Sequence, residues 1–268
     1  MKDSEINDAN DLLAWEVPFS EYAESFENIY LKRKDGIYEI TLHTNGDSFI
    51  WSTDSSAELG RLFECLSRDR GVKVGIITGT GESFCVTIAD SEVGKRFMDL
   101  RRSQPWLYLN GEQMHSWSFW GGAGPNGPPL IAAINGPASM HSEIGLISDI
   151  VLASPDAYFQ DKHLAMGLVP GDGIQELWEY YMGPRLARYY LLTGLPISAL
   201  EAKQFGLVTD VLERDALLPR AWELAEQLAS LSVKTLRYTR MALNMGYVDI
   251  THKRHQTGRA LEWLGYEP

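Results

Sequence analysis

Apolar and polar positions roughly alternate through residues 37–43 (Ile-Tyr-Glu-Ile-Thr-Leu-His), and a short strand at 28–31 leads into them through the turn Lys34-Asp35-Gly36. The ordered part of the chain is therefore predicted to open with a β-hairpin. Beyond it Leu59, Leu62, Phe63 and Leu66 recur at helical spacing, and Ser55 or Ser56 can cap the helix they define. The alternation disappears at 74–79, 130–136 and 149–153, where the residues are apolar on both faces, as in parallel strands covered by helices. Strand, helix, strand succession of this kind predicts an α/β layer architecture.

From Gly173 onward the period is mostly helical, with one strand at 207–212, helices near 215–230 and 233–245, and a last helix ending near Trp263. Helices that trail a sheet can pack on another subunit, so an oligomer is expected. The chain divides into a polar, aperiodic N-terminal arm over 1–25, flexible or wrapped, an α/β core over 26–212 and a helical region over 213–268. Residues 90–129, with Trp106, Trp117 and Trp120 and a run of Gly and Pro, predict a helix near 93–119 and then a long loop. Such a segment reads as a lid facing substrate or as a surface linker.

Composition narrows the function. The 268 residues are 44% apolar and 22% charged, ordinary for a globular protein and unlike a disordered chain or a collagen. Acidic residues outnumber basic ones 36 to 24, and a net charge of −12 repels phosphate backbones and anionic lipid, so neither nucleic acid nor a membrane surface is expected as a partner. Cys65 and Cys85 read as buried thiols of a reducing compartment, and with no spanning segment and an acidic N-terminus the expected location is cytoplasmic.

Neither a nucleotide loop nor a metal set is recognisable. Gly79-Thr80-Gly81 lacks a third glycine, no Gly-Lys-Ser/Thr loop follows a strand, and His252 and His255, three apart, read as a solvated helix face. No cofactor and no metal are expected. Better candidates follow the buried strands, where α/β folds place ligands: His141, His163 and Asp172. A histidine and a carboxylate can form a dyad in which the carboxylate fixes the tautomer and the free ring nitrogen takes a proton from water. Asp172 with Gln175 also fits a helix capping box, and either histidine can serve as a hydrogen-bonded structural residue; both readings stay open here.

Several motifs together resemble the crotonase (enoyl-CoA hydratase/isomerase) superfamily over roughly residues 27–265: Gly79-Thr80-Gly81-Glu82-Ser83-Phe84-Cys85, Ile131-Ala132-Ala133-Ile134-Asn135-Gly136-Pro137-Ala138, Ser148-Asp149-Ile150-Val151-Leu152-Ala153 and Gly167-Leu168-Val169-Pro170-Gly171-Asp172-Gly173. The resemblance implies an α/β spiral of ββα turns with a helical C-terminal trimerisation region, as a homotrimer or a dimer of trimers. Typical members carry a glycine run after Asn-Gly-x-Ala, where this chain has Ser139-Met140-His141-Ser142-Glu143. Of the two hydratase glutamates, the second is replaced by His163 and the first falls on Glu143 or Ile144.

One branch resembles the chain at these departures: 6-oxocamphor hydrolase and the related β-diketone hydrolases, through His43-Thr44 to Trp51, His141 with Glu143-Ile144, Phe159-Gln160-Asp161 with His163, and Val169 to Gly173. By that resemblance His141, His163, Asp172 and Glu262 are catalytic and Trp51 lines the substrate, although Glu262 also reads as an exposed helical residue and Trp51 as plain core. The implied reaction is hydrolysis of the carbon-carbon bond between the carbonyls of a cyclic or bicyclic β-diketone, a retro-Claisen cleavage that yields a keto acid. It needs a base for water and donors for the oxyanion and the departing enolate. On that reading Asp172 orients His163 as the base, His141 donates to the enolate oxygen, Glu262 assists proton return and Trp51 supplies an apolar wall. The rival reading is an acyl-CoA hydratase or isomerase acting on a thioester.

Overall fold

The computed structural model describes residues 15–89, 99, 103, 104, 106 and 127–265. Most of the helix and loop predicted over 93–129, Trp117 and Trp120 included, therefore lies outside the described residues, as do the first 14 residues of the arm.

The predicted hairpin forms as β1 (Ile29–Lys34) and β2 (Ile37–Leu42), antiparallel, with Asp35 and Gly36 at positive φ in the turn. To β2 are added, all parallel, β4 (Val74–Gly79), β6 (Leu130–Ile134), β7 (Ile150–Ala153) and β10 (Asp210–Val211), giving a six-stranded sheet in the order β1-β2-β4-β6-β7-β10. The period of two divides each strand between two cores. Tyr38, Ile40, Leu42, Ile77, Ala132, Ile134, Val151 and Ala153 face one, and Ile37, Val74, Ile76, Ile131, Ala133 and Leu152 face the other.

The second core is closed by α6 (Arg214–Ala229), whose Leu217, Ala221 and Ala225 are buried on it. Toward the first core lie α2 (Thr53–Arg68), α3 (Glu143–Leu146), and α4 (Ile174–Thr193), which bends at Gly183-Pro184. Short strands β3 (Ile50–Trp51) and β5 (Thr87–Ile88) pair in parallel, and β8 (Tyr158–Phe159) pairs with β9 (Ile197–Ser198) ahead of α5 (Ala199–Phe205). Within the arm, α1 (Phe19–Tyr22) lies against the domain: Tyr22 and Tyr38 both donate to Asp69, at 2.6 and 2.8 Å.

Three local expectations are corrected. The cap of α2 is Ser52, one turn earlier than predicted, and Ser55 takes the reciprocal place: its N–H donates to Ser52 Oγ at 3.0 Å while its Oγ accepts from Ser52 N–H at 2.8 Å. The strand at 207–212 shortens to two residues, because Leu207 and Val208 turn inward as core. The two C-terminal helices are one, α7 (Val233–Leu264), since no proline interrupts it and an interior glycine costs only about 1 kcal/mol. No described helix is long and apolar enough to cross a membrane.

Candidate active site

The site forms where three loops beyond the sheet meet the end of α7. His141 precedes α3 with φ 46°, a left-handed conformation that a residue bearing a Cβ seldom adopts, and hydrogen bonds on either side hold it: Met140 N–H to Cys85 O at 3.1 Å and Ile144 N–H to His141 O at 3.1 Å. Its ring stacks on Trp51 with centroids 3.7 Å apart and planes inclined by 25°. Trp51 owes its place to the β3–β5 pair, where Ala89 N–H donates to its carbonyl at 2.8 Å.

His141 Nδ1 is 2.6 Å from Glu143 Oε1. Burial raises the Glu143 carboxyl and His141 works against that rise; when Glu143 is ionised it only accepts, so the proton lies on Nδ1 and Nε2 is the bare nitrogen of the neutral ring. Of the two registers for the first hydratase glutamate, Glu143 is the one at the site; Ile144 is core. Burial works against charge on His141, but Glu143 and then Asp172 outweigh it and hold the imidazole above its ordinary pKa.

His163 is held from both ends. Its Nδ1 lies 2.7 Å from Asp161 Oδ2 and its Nε2 lies 3.4 Å from Asp172 Oδ2, while its backbone N–H donates to Asp161 Oδ1 at 3.2 Å. Burial again opposes the cation; Asp172 and Asp161 override it and push the pKa up to about 12. Asp172 Oδ2 also faces His141 Nδ1 at 3.7 Å. Burial would raise the Asp172 carboxyl, yet His163 and then His141 hold it well below the usual carboxylate range.

The two oxygens of Asp172 have different neighbours. Oδ2 faces the histidines, and Oδ1 accepts from Ile174 N–H, at 3.4 Å, as α4 begins. The predicted capping box does not form, because the cap is Gly173, which has no side chain to accept; Gln175 alone reaches back to take Gly173 N–H at 3.1 Å. Glu262 is buried on α7 rather than exposed, and Arg259 donates to its Oε2 at 3.0 Å. A close approach of backbones brings it beside the Asp172 loop: a Cβ on Gly171 would run into the carbonyl of Gly258 and lie 2.8 Å from Glu262 Cβ.

Structure and sequence differ on partners. Asp161 makes the short bond to His163 that was expected from Asp172, and Glu143 holds His141. Both carboxylates are two residues from their histidine, in Asp-Lys-His and His-Ser-Glu, and that spacing is the signal that could have found them. His255 is not on a solvated face; its Nδ1 lies 3.3 Å from Oε2 of the buried Glu176. His141, Glu143 and Asp172 each bring one donor atom within 4.8 Å of the others, a set able to hold a metal ion if the His141–Glu143 bond opened. A separate open cavity of about 930 Å³ is lined by Asp47, Glu82, Asp156, Tyr158 and Arg214 among others.

The family model for enoyl-CoA hydratase/isomerase matches residues 32–262. Among solved structures, a β-diketone hydrolase from the cyanobacterium Anabaena sp., bound to (S)-3-oxocyclohexyl acetic acid, superposes with a TM-score of 0.82 at 32% identity, covering 95% of this chain and 97% of that one. An enoyl-CoA hydratase/isomerase from Mycobacterium paratuberculosis gives a TM-score of 0.78 at 25% identity, covering 90% and 94%. Curated relatives include a probable peroxisomal enoyl-CoA hydratase of Arabidopsis thaliana, 29% identical over 82% of this chain and 83% of its own, and the (E)-benzylidenesuccinyl-CoA hydratase of Thauera aromatica, 32% identical over 72% and 73%. By the match and the fold together, the chain belongs to the enoyl-CoA hydratase/isomerase family, the crotonase superfamily.

Proposed function

We propose that the protein hydrolyses the carbon-carbon bond between the carbonyls of a cyclic or bicyclic β-diketone, releasing a keto acid. The observation that carries this reading is the pair of half-buried imidazoles with unlike surroundings: His163 faces carboxylates through both nitrogens, His141 through Nδ1. Carboxylates raise both rings; the one held through both nitrogens fits a fixed cation, and the one held through Nδ1 alone keeps Nε2 for a base. The Anabaena β-diketone hydrolase, similar over nearly the whole chain, supports the same reading.

The roles we assign are opposite to those expected from sequence. His163, clamped between Asp161 and Asp172, stays protonated at neutral pH and serves as a fixed cation for the oxyanion. His141 takes the proton of the attacking water through Nε2, with Glu143 stabilising the imidazolium. Water oxygen bonds to one carbonyl carbon. The carbon-carbon bond then breaks, and its electron pair passes into the enolate of the second carbonyl. The proton held by His141 returns to the enolate carbon, with Glu262 assisting, and the new carboxylic acid ionises. Trp51, stacked on His141, gives the hydrocarbon ring an apolar wall. No cofactor or metal enters a step.

The rival, hydration of an enoyl thioester, is favoured by the names of the curated relatives and by Glu143 at the position of one hydratase glutamate. It would have to operate with an imidazolium at the position of the other. Steady-state assays with bicyclic 1,3-diketones and with a short enoyl-CoA separate the two: diketone loss with keto-acid formation supports the proposal, and thioester hydration alone overturns it. For the assembly we propose a homotrimer or dimer of trimers, supported by the exposed Tyr238, Leu243, Met245 and Leu261 along α7.

A further inference from the structure

Behind Asp172 the structure buries a second carboxylate that the mechanism above does not use. Glu176, in the first turn of α4 and 1% exposed, stands one helical turn after Asp172, and its Oε2 lies 3.3 Å from His255 Nδ1 on α7. His255 precedes Glu262 by seven residues, two turns, so both side chains occupy the same face of α7. Between them sits the seam where the helix meets the Asp172 loop: Gly258 has no room for a side chain, since a Cβ there would lie 2.5 Å from Gln175 Nε2 and 2.8 Å from Gly171 O. Gln175 in turn accepts from Gly173 N–H. The Glu176–His255 contact thus fastens α4 to α7 at the point that sets the spacing of Asp172 and Glu262.

We propose that Glu176, held by His255, is a positioning residue for the active site, fixing the Asp172 loop on α7 and so the distance of the Asp172 carboxylate from the two site histidines. The groups facing Glu176 are Asp172 from its own loop and Tyr247, Arg254 and His255 from α7, and Tyr247 also lies in the field of Glu143. Burial and the charge of Asp172 raise the Glu176 carboxyl, while His255 works against that rise. The contact with His255 is therefore what favours the charged form in a buried position.

The inference rests on the hydrolase reading only for the rate; its primary test needs no substrate. The imidazole of His141 is titrated by NMR in the wild-type chain and in the variants Glu176→Gln, His255→Ala and His255→Gln, with thermal melts as a check on folding. A loosened Asp172 loop weakens the hold of that carboxylate on the His141 imidazolium, so Glu176→Gln and His255→Ala are expected to move the His141 titration to lower pH, and His255→Gln, which can still donate to Glu176, to restore it. If Glu176→Gln fails to fold, the comparison of the two His255 variants carries the test. An unchanged titration in folded Glu176→Gln or His255→Ala overturns the proposal and leaves the pair a plain structural tie. Absence of diketone turnover by the wild-type protein, in contrast, bears on the hydrolase reading alone.

Discussion

His141 Nδ1 lies 2.6 Å from Glu143 Oε1, and this contact, closer than that to Asp172 at 3.7 Å, holds the His141 imidazole above its ordinary pKa. Replacing Glu143 by Gln removes the carboxylate that raises His141, so the imidazole is expected to titrate at lower pH and the acidic limb of kcat/KM to shift the same way. Removing His141 itself by alanine is expected to cost roughly a hundredfold to ten-thousandfold in kcat, the usual worth of a general base. A pH–rate profile of each variant checks both statements, and an unshifted limb in Glu143→Gln speaks against the dyad.

His163 makes a prediction about stability. Its folded pKa of about 12 is far above an unfolded value near 6.5, so its contribution is fully present below pH 6.5 and is lost as pH rises through the folded value. Replacement of His163 by Gln leaves Asp161 without its cation and Asp172 with His141 alone, and is expected to destabilise by about 3 kcal/mol near neutrality. The gap between wild type and variant in chemical denaturation should narrow as pH approaches 11. Asp172, held low, behaves in the opposite sense: its contribution is present above its unfolded value near 3.8 and is lost as pH falls through the folded one.

Gly171→Ala is expected to damage stability and catalysis together. The new methyl meets the carbonyl of Gly258, so the Asp172 loop and α7 must separate. A loss of about 2 kcal/mol in unfolding free energy, with a larger proportional loss in kcat than in substrate affinity, is the expected pattern. Wild-type turnover in a folded Gly171→Ala protein would show that the spacing of Asp172 and Glu262 is irrelevant.

Trp51 covers one face of the His141 ring. Trp51→Phe retains an aromatic face and is expected to keep most activity, whereas Trp51→Ala is expected to raise KM several-fold and disturb kcat through the loosened imidazole. Parallel steady-state kinetics with a compact and a bulky diketone would read this out.

The apolar runs at 74–79 and 130–134 could be read from the sequence because strands buried on both faces have no polar period, and the His141, His163, Asp172 grouping because it follows them on the ligand side of the sheet. Pairings within the site were less legible. Two carboxylates, Asp161 and Asp172, stand within reach of one ring, and only the fold of the 161–173 segment decides which takes Nδ1. Glu143 was masked by a one-residue ambiguity in register. His255 reads as solvated from the sequence alone because its partner, Glu176, lies 79 positions away and is brought to it by the packing of α4 on α7. The single helix over Val233–Leu264 is hard to read from sequence because its interior glycines look like stops, whereas Gly258 serves close packing.

The central claim is tested most directly by product analysis after incubating the wild-type chain with a bicyclic 1,3-diketone in ¹⁸O-water, free of CoA and added metal. The account predicts a keto acid formed with loss of the diketone, carrying one solvent oxygen in its carboxylate, at a rate that rises with pH through the His141 titration. Intact diketone beside a readily hydrated enoyl-CoA would contradict it.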